Sequence, residues 1–320
     1  MHKGSMLFSL VLAAGVTAGS TTKAADAPPW AYTVNPPGLA LPADTGTPLR
    51  VPDSDGAFTL TQIRDLFFAP DWHPGDHTAM PEIVSQGRKP DVRACGSCHR
   101  VDGSGGPENA KVAGLPADYI LQQMADFKTG ARKTSVAGRA PPALMTTTAN
   151  GITDAESAAA AAYFAAQKPR QAIKVVESET APKTQVFGWH LAVAPEGGTE
   201  PIGQRIIEVP ENLAYFASRD DRARFIAYVP LGSLQKGEQL VANGGNKTIA
   251  CGICHGRDLK GLANIPGIAG RSPSYIVRQL FDFQTGNRAG VNSALMKPVV
   301  EYLSMDDMIA LAGYAASLSP

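Results

Sequence analysis

The chain is poor in cysteine: its 320 residues include only four. A disulfide framework, which staples small secreted domains through cysteines scattered along the chain, does not fit that usage. Charge bias is missing too. Lys plus Arg and Asp plus Glu both number 29, so nothing favours nucleic acid or an anionic membrane as partner. Long apolar runs are also absent. The mostly apolar stretch from Met6 to Ala18 has 13 residues, too few to cross a bilayer, and no later stretch approaches 18. What remains, 44% hydrophobic and 18% charged residues, is the composition of a globular chain long enough for two ordinary domains.

The short apolar run has another reading. His2 and Lys3 precede it and small residues follow, the pattern of a secretory leader over residues 1–24, cut after Ala24 or Ala25. Val16 stands where a lipoprotein leader would carry its lipidated cysteine. The expectation is an exported, periplasmic protein with no transmembrane anchor after cleavage, holding 27 basic against 29 acidic residues.

All four cysteines fall in two Cys-x-x-Cys-His motifs, Cys95-Gly96-Ser97-Cys98-His99 and Cys251-Gly252-Ile253-Cys254-His255. This spacing suits covalent haem: two thiols add across the vinyl groups, and the adjacent histidine falls beneath the iron. A thioredoxin-like pair needs neither a second copy nor a following histidine. Zinc would require the two distant motifs to converge. The motifs therefore predict two covalently bound haem c groups on Cys95, Cys98, Cys251 and Cys254, with His99 and His255 as iron ligands.

The sequence after each motif repeats. Tyr119-Ile120-Leu121-Gln122-Gln123 through Thr129-Gly130-Ala131-Arg132 matches Tyr275-Ile276-Val277-Arg278-Gln279 through Thr285-Gly286-Asn287-Arg288, each Tyr 24 positions after the first motif cysteine. Ile276, Leu280 and Phe283 have helical spacing. Thr153 with Glu156, and more loosely Ser304 with Asp307, form capping boxes before two closing helices. Short helices are expected before the motifs at Glu82 to Ser85 and Glu238 to Val241, with loops elsewhere. Before each closing helix stands Ala-Leu-Met, as Ala143-Leu144-Met145 and Ala294-Leu295-Met296, each Met eight residues ahead of its capping residue. A thioether favours reduced iron, so Met145 and Met296 are the expected sixth ligands. Met124, by contrast, aligns with Leu280 inside the middle helix and reads as core.

Together these residues resemble tandem class I cytochromes c, the dihaem kind in which two similar haem domains pack as a pseudo-symmetric pair. The resemblance implies a mainly α fold: a haem domain at 81–167 and a second at 233–320, with His99 and His255 as proximal ligands and Met145 and Met296 as distal ones. An irregular Pro-rich arm at 25–80 and a partly β connector at 168–232 depart from the compact pattern. The implied function is single-electron transfer without substrate chemistry. The donor would be a dehydrogenase or quinol complex and the acceptor an oxidase or another cytochrome, and the chain could also serve as a dehydrogenase's cytochrome subunit. The alternative is a dihaem oxidoreductase. A peroxidase needs an open distal position, against the matched methionines, and a thiolate-ligated sulfur-compound enzyme needs a fifth cysteine.

Outside the repeats, Leu60 to Phe68 is a helical candidate in the arm. Ile173 to Val176, Arg205 to Val209 and Phe225 to Val229 read as connector strands, packed between the domains for structural reasons or serving as a docking face. His73, His77 and His190 could ligate an iron or a metal, but isolated histidines in polar loops read better as surface or hydrogen-bonded residues. Arg132 and Arg288 suit either haem propionates or the negative ends of their own helices. The path from Arg132 to Met145 is 13 positions against 8 from Arg288 to Met296, so the two haem environments should be unequal.

Overall fold

The computed structural model describes Met1 and residues 26–320; the leader falls outside the described residues. The arm holds one short helix, α1 (Leu60–Arg64). The first haem domain follows with α2 (Glu82–Ser85), α3 (Cys95–His99), α4 (Ala117–Lys128), α5 (Ala140–Gly151) and α6 (Asp154–Ala166). The connector contributes β1 (Ile173–Glu177), β2 (Thr180–Pro182), β3 (Thr184–Phe187), β4 (His190–Val193), β5 (Thr199–Pro201), β6 (Ile207–Pro210), α7 (Leu213–Ala217) and β7 (Phe225–Val229). The second haem domain is α8 (Ser233–Asn243), α9 (Gly252–His255), α10 (Pro273–Gln284), a 3-10 turn at Val291–Leu295, α11 (Lys297–Val300) and α12 (Met305–Ser317).

Both closing helices start as their sequences require. Thr153 Oγ1 accepts from the Glu156 amide while the Glu156 carboxylate takes the Thr153 amide at 2.8 Å. Ser304 and Asp307 make the same reciprocal pair, with the return bond at 2.9 Å. Each box satisfies amides that the first helical turn leaves without partners.

Four segments differ from expectation. The methionine segments are not loops: Met145 lies within α5, and Met296 lies between the 3-10 turn and α11. Pro141, Pro142 and Pro298 sit in the first turns of these helices, where a preset φ favours the helix and a missing amide costs nothing. α1 stops at Arg64 rather than Phe68, because Asp65 is extended and its side chain takes the Phe67 amide at 2.8 Å. α8 runs two turns longer than expected, starting after the left-handed Gly232.

The connector forms a three-stranded sheet in the order β1-β7-β6, with β1 and β7 parallel and β6 antiparallel to β7. Two ribbons, β2 with β5 and β3 with β4, interrupt it. Phe187 pairs with His190, so Gly188 and Trp189 form a two-residue turn with both φ positive, at 58° and 66°. The arm fastens this turn: Asn35 Oδ1 accepts the Trp189 amide at 2.8 Å, and Thr33 donates to the Trp189 carbonyl. The sheet shares one core with the second haem domain. Ile173, Ile206, Ala227 and Val229 pack with Leu240, Val277, Phe281 and Ile309 in a single cluster. The first haem domain has its own smaller core of Ile83, Val84, Val92, Ile152, Tyr163 and Phe164.

Candidate haem-binding sites

Each motif is a single helical turn, and a backbone carbonyl orients each histidine. His99 Nδ1 lies 2.8 Å from the Ala110 carbonyl, and His255 Nδ1 lies 2.8 Å from that of Pro266, in both cases eleven residues on. Nδ1 must donate in that contact, so the lone pair of each neutral ring is at Nε2. Burial lowers both histidines below the ordinary value and keeps the rings neutral, the form that ligates a metal. The carbonyl on Nδ1 fixes ring orientation and raises ligand basicity.

The sulfurs suit thioethers better than thiolates. Burial pushes the Cys95 thiol up to about 12 and the Cys251 thiol to about 11. A zinc site would need thiolates, and these surroundings disfavour them. The four cysteines are not disulfide-bonded. Met145 and Met296 are half-buried, Met296 against the main core. Two further observations fit a large group that is apolar on its faces and anionic at one edge. In the second haem domain, Ile253, Leu262, Val291, Leu295 and Tyr302 are each more than half exposed. Beside Cys95, Arg93 keeps Nε and Nη1 buried without hydrogen-bond partners, as a carboxylate such as a propionate would require.

The middle helices meet at a pseudo-symmetric seam, as the resemblance implies, though the residues that pair across it were not foreseen. Arg132 Nη2 donates to Tyr275 Oη at 2.8 Å and Gln279 Oε1 at 3.0 Å. Arg288 Nη2 donates to Tyr119 Oη at 2.8 Å and Gln123 Oε1 at 2.7 Å. The backbones join as well, Lys133 N to Asn287 O at 2.6 Å and Ala289 N to Ala131 O at 2.7 Å. Each arginine thus reaches the opposite domain's repeat, a pairing not among the propionate and helix-end roles expected for it. The matched Tyr, Gln and Arg were visible in the sequence, but a repeat does not say whether its copies face each other.

Of the other histidines, two are buried rather than at the surface, and all three are hydrogen-bonded. His190 Nδ1 is 3.2 Å from the Gly188 carbonyl, and its ring meets Phe216 edge-on at 4.5 Å. His77 Nε2 is 3.1 Å from Asp71, which raises it to about 9. His73 contacts Asp220 at 3.1 Å.

The family model for cytochrome c matches residues 86–168. The chain is 39% identical over 77 residues to cytochrome c-554(548) of Halomonas halodenitrificans, across 24% of this chain and 93% of that one. The chain belongs to the cytochrome c family. The similarity also extends over both motifs: identity is 27% over 247 residues with cytochrome c4 of Azotobacter vinelandii, covering 76% of this chain and 91% of that protein. With the thiosulfate dehydrogenase electron acceptor of Thiomonas intermedia it is 26% over 236 residues, 72% of this chain and 82% of the other. This c-type cytochrome is thus built of two tandem class I haem domains, carries covalent haem c and serves electron transfer. Among the described residues, no helix is long and apolar enough to cross a membrane.

Proposed function

We propose that this cytochrome is a periplasmic dihaem electron carrier, exported by residues 1–24. One haem c is held by Cys95, Cys98, His99 and Met145 in a domain at 81–167, the other by Cys251, Cys254, His255 and Met296 in a domain at 233–320. The observation that carries the reading is the identical setting of the two histidines, each neutral and held through Nδ1 with Nε2 left to ligate. Bound there, haem supplies a one-electron iron couple. The protein's part is to hold and shield it. The four cysteines would hold the haems through paired thioether links, the carbonyls of Ala110 and Pro266 orient the imidazoles, and Met145 and Met296 would complete the iron ligands. Donor and acceptor are redox proteins, a dehydrogenase or quinol complex on one side and an oxidase or cytochrome on the other. The similarity to a thiosulfate dehydrogenase electron acceptor supports attachment to a dehydrogenase as one form of this role. With both sixth positions filled, the protein does no substrate chemistry of its own.

The test is the mass and spectrum of the mature holoprotein. It should exceed its polypeptide mass by two haems, which persist through acid–acetone extraction. Met145→Ala and Met296→Ala should each remove one Met–iron signature, and peroxide should not be turned over. A single retained haem, or rapid peroxidase turnover, would overturn the reading.

A further inference from the structure

The arm and the connector meet at a buried group that haem binding does not use. His73 is 4% exposed, Asp220 5% and Asp221 1%. His73 Nε2 stands 3.1 Å from Asp220 Oδ1. One ligand atom from each of His73, Asp220 and Asp221 lies within 4.8 Å of the other two. The decisive feature is Asp221: both its carboxylate oxygens are buried and neither has a hydrogen-bond partner. A buried carboxylate without partners is costly and calls for a counter-charge.

The neighbouring cations are committed elsewhere. Arg170 Nη2 is 4.0 Å from Asp221 Oδ2, beyond hydrogen-bond reach, and bonds Asp102 at 3.1 Å and the Asp221 backbone carbonyl. Arg222 forks onto Asp76 at 2.8 and 2.9 Å. Asp220 Oδ1 also takes the Arg222 amide, which holds that carboxylate in place. On its other side His73 lines a cavity of about 270 Å³ whose wall includes Asp53, Asp55, Asp71 and Asp76 against Arg222. An acidic approach of that kind concentrates cations at its floor.

We propose that His73, Asp220 and Asp221 bind a divalent transition-metal ion of the Zn²⁺ type. One imidazole nitrogen and two carboxylate oxygens suit Zn²⁺ and its neighbours, whereas Ca²⁺ and Mg²⁺ take oxygen ligands. Tetrahedral bonds to zinc of about 2.0–2.2 Å place donors about 3.4 Å apart, so donors that now lie within 4.8 Å of one another must draw together around the ion. The ion would supply the charge that Asp221 lacks. It would also join residues 147 positions apart in sequence, tying the arm to the connector beside the first haem domain.

The experiment uses the mature holoprotein stripped with a chelator and then titrated with zinc sulfate. Calorimetry follows binding, and elemental analysis counts zinc and iron after gel filtration. One equivalent of zinc is expected, with a higher thermal midpoint and unchanged iron. His73→Gln and the isosteric Asp221→Asn should each lose that equivalent, while His77→Gln keeps it. The haem spectrum reports whether each variant is folded; if His73→Gln is not, Asp221→Asn and Asp220→Asn decide. No zinc on the wild type, zinc retained by Asp221→Asn, or equal binding of Ca²⁺ would overturn the proposal.

Discussion

The two motif helices are near-copies in sequence and opposites in setting. Between its cysteines the first carries Ser97, fully buried, and the second Ile253, 69% exposed. A Cβ added at Gly96 would meet Ala69 Cβ at 2.8 Å and the Val84 carbonyl at 3.0 Å; at Gly252 nothing comes nearer than 3.5 Å. The difference comes from the arm. Leu66 accepts the Ala94 amide at 2.9 Å, and Ala69 donates to the Ser85 carbonyl at 2.8 Å, laying the arm over α2 and α3. Among the described residues, no equivalent segment covers α9. A duplicated domain can therefore keep its cofactor-binding residues while its added segments make one copy insulated and the other accessible. This difference between the motif helices is separate from the longer path to Met145, whose last residues lie in α5.

The comparison is broken most severely at the arm's anchor. Trp72 is 1% exposed and donates to the Ser218 carbonyl at 2.8 Å. Trp72→Ala should cost about 3–5 kcal/mol in chemical denaturation. It should also raise hydrogen exchange of the α3 amides toward that of α9. Unchanged exchange at α3 would show that the arm is not its shield.

A smaller and sharper contrast is Gly96→Ala against Gly252→Ala. The first forces a methyl between Ala69 and the Val84 carbonyl and should destabilise by up to about 3 kcal/mol. The second finds room and should change thermal stability little. Equal effects would dissolve the distinction between the two settings.

The smallest contrast lies in the closing helices. Asp307 is fully buried at its carboxylate, within 3.0 Å of Lys247 and in contact with Lys236, and these hydrogen bonds hold it below the ordinary carboxylate value despite burial. Glu156 is lowered to about 2, chiefly by Arg88, whose side chain is 49% exposed. Asp307→Asn should cost about 1.5 kcal/mol, and Glu156→Gln less than about 1 kcal/mol. Both folded-state values lie below the unfolded ones. Their stabilisation is therefore complete above about pH 4–4.5 and fades as pH falls through the folded values. Acid titration of the variants should flatten this loss, more for Asp307→Asn. If Glu156→Gln proved the costlier change, burial would not be what separates the two boxes.

Much of the haem site could be read directly from residue order. Covalent attachment to haem is a local event, so Cys95 to His99 and Cys251 to His255 announce themselves without a fold. The capping boxes at Thr153 and Ser304, and the middle helices after each motif, are equally local. The sequence reading failed where a choice depended on distant segments. Arg132 and Arg288 were weighed for propionates and helix ends, and their bonds to the opposite domain were not foreseen. His73 looked like one more loop histidine, yet Asp220 and Asp221 arrive beside it from the connector.

By itself, then, the sequence determined the chemistry: which residues can bind haem, that the domain is duplicated, and where its closing helices begin. Attachment spacing, capping and amphipathic period act within a few residues, and their free energies are present before the chain is compact. Only the tertiary structure decided which copy is covered, how the two middle helices interlock, and which buried carboxylate is left without a partner. Those outcomes depend on packing between segments some 150 positions apart, where shape and solvent exclusion, rather than any local pattern, select the arrangement.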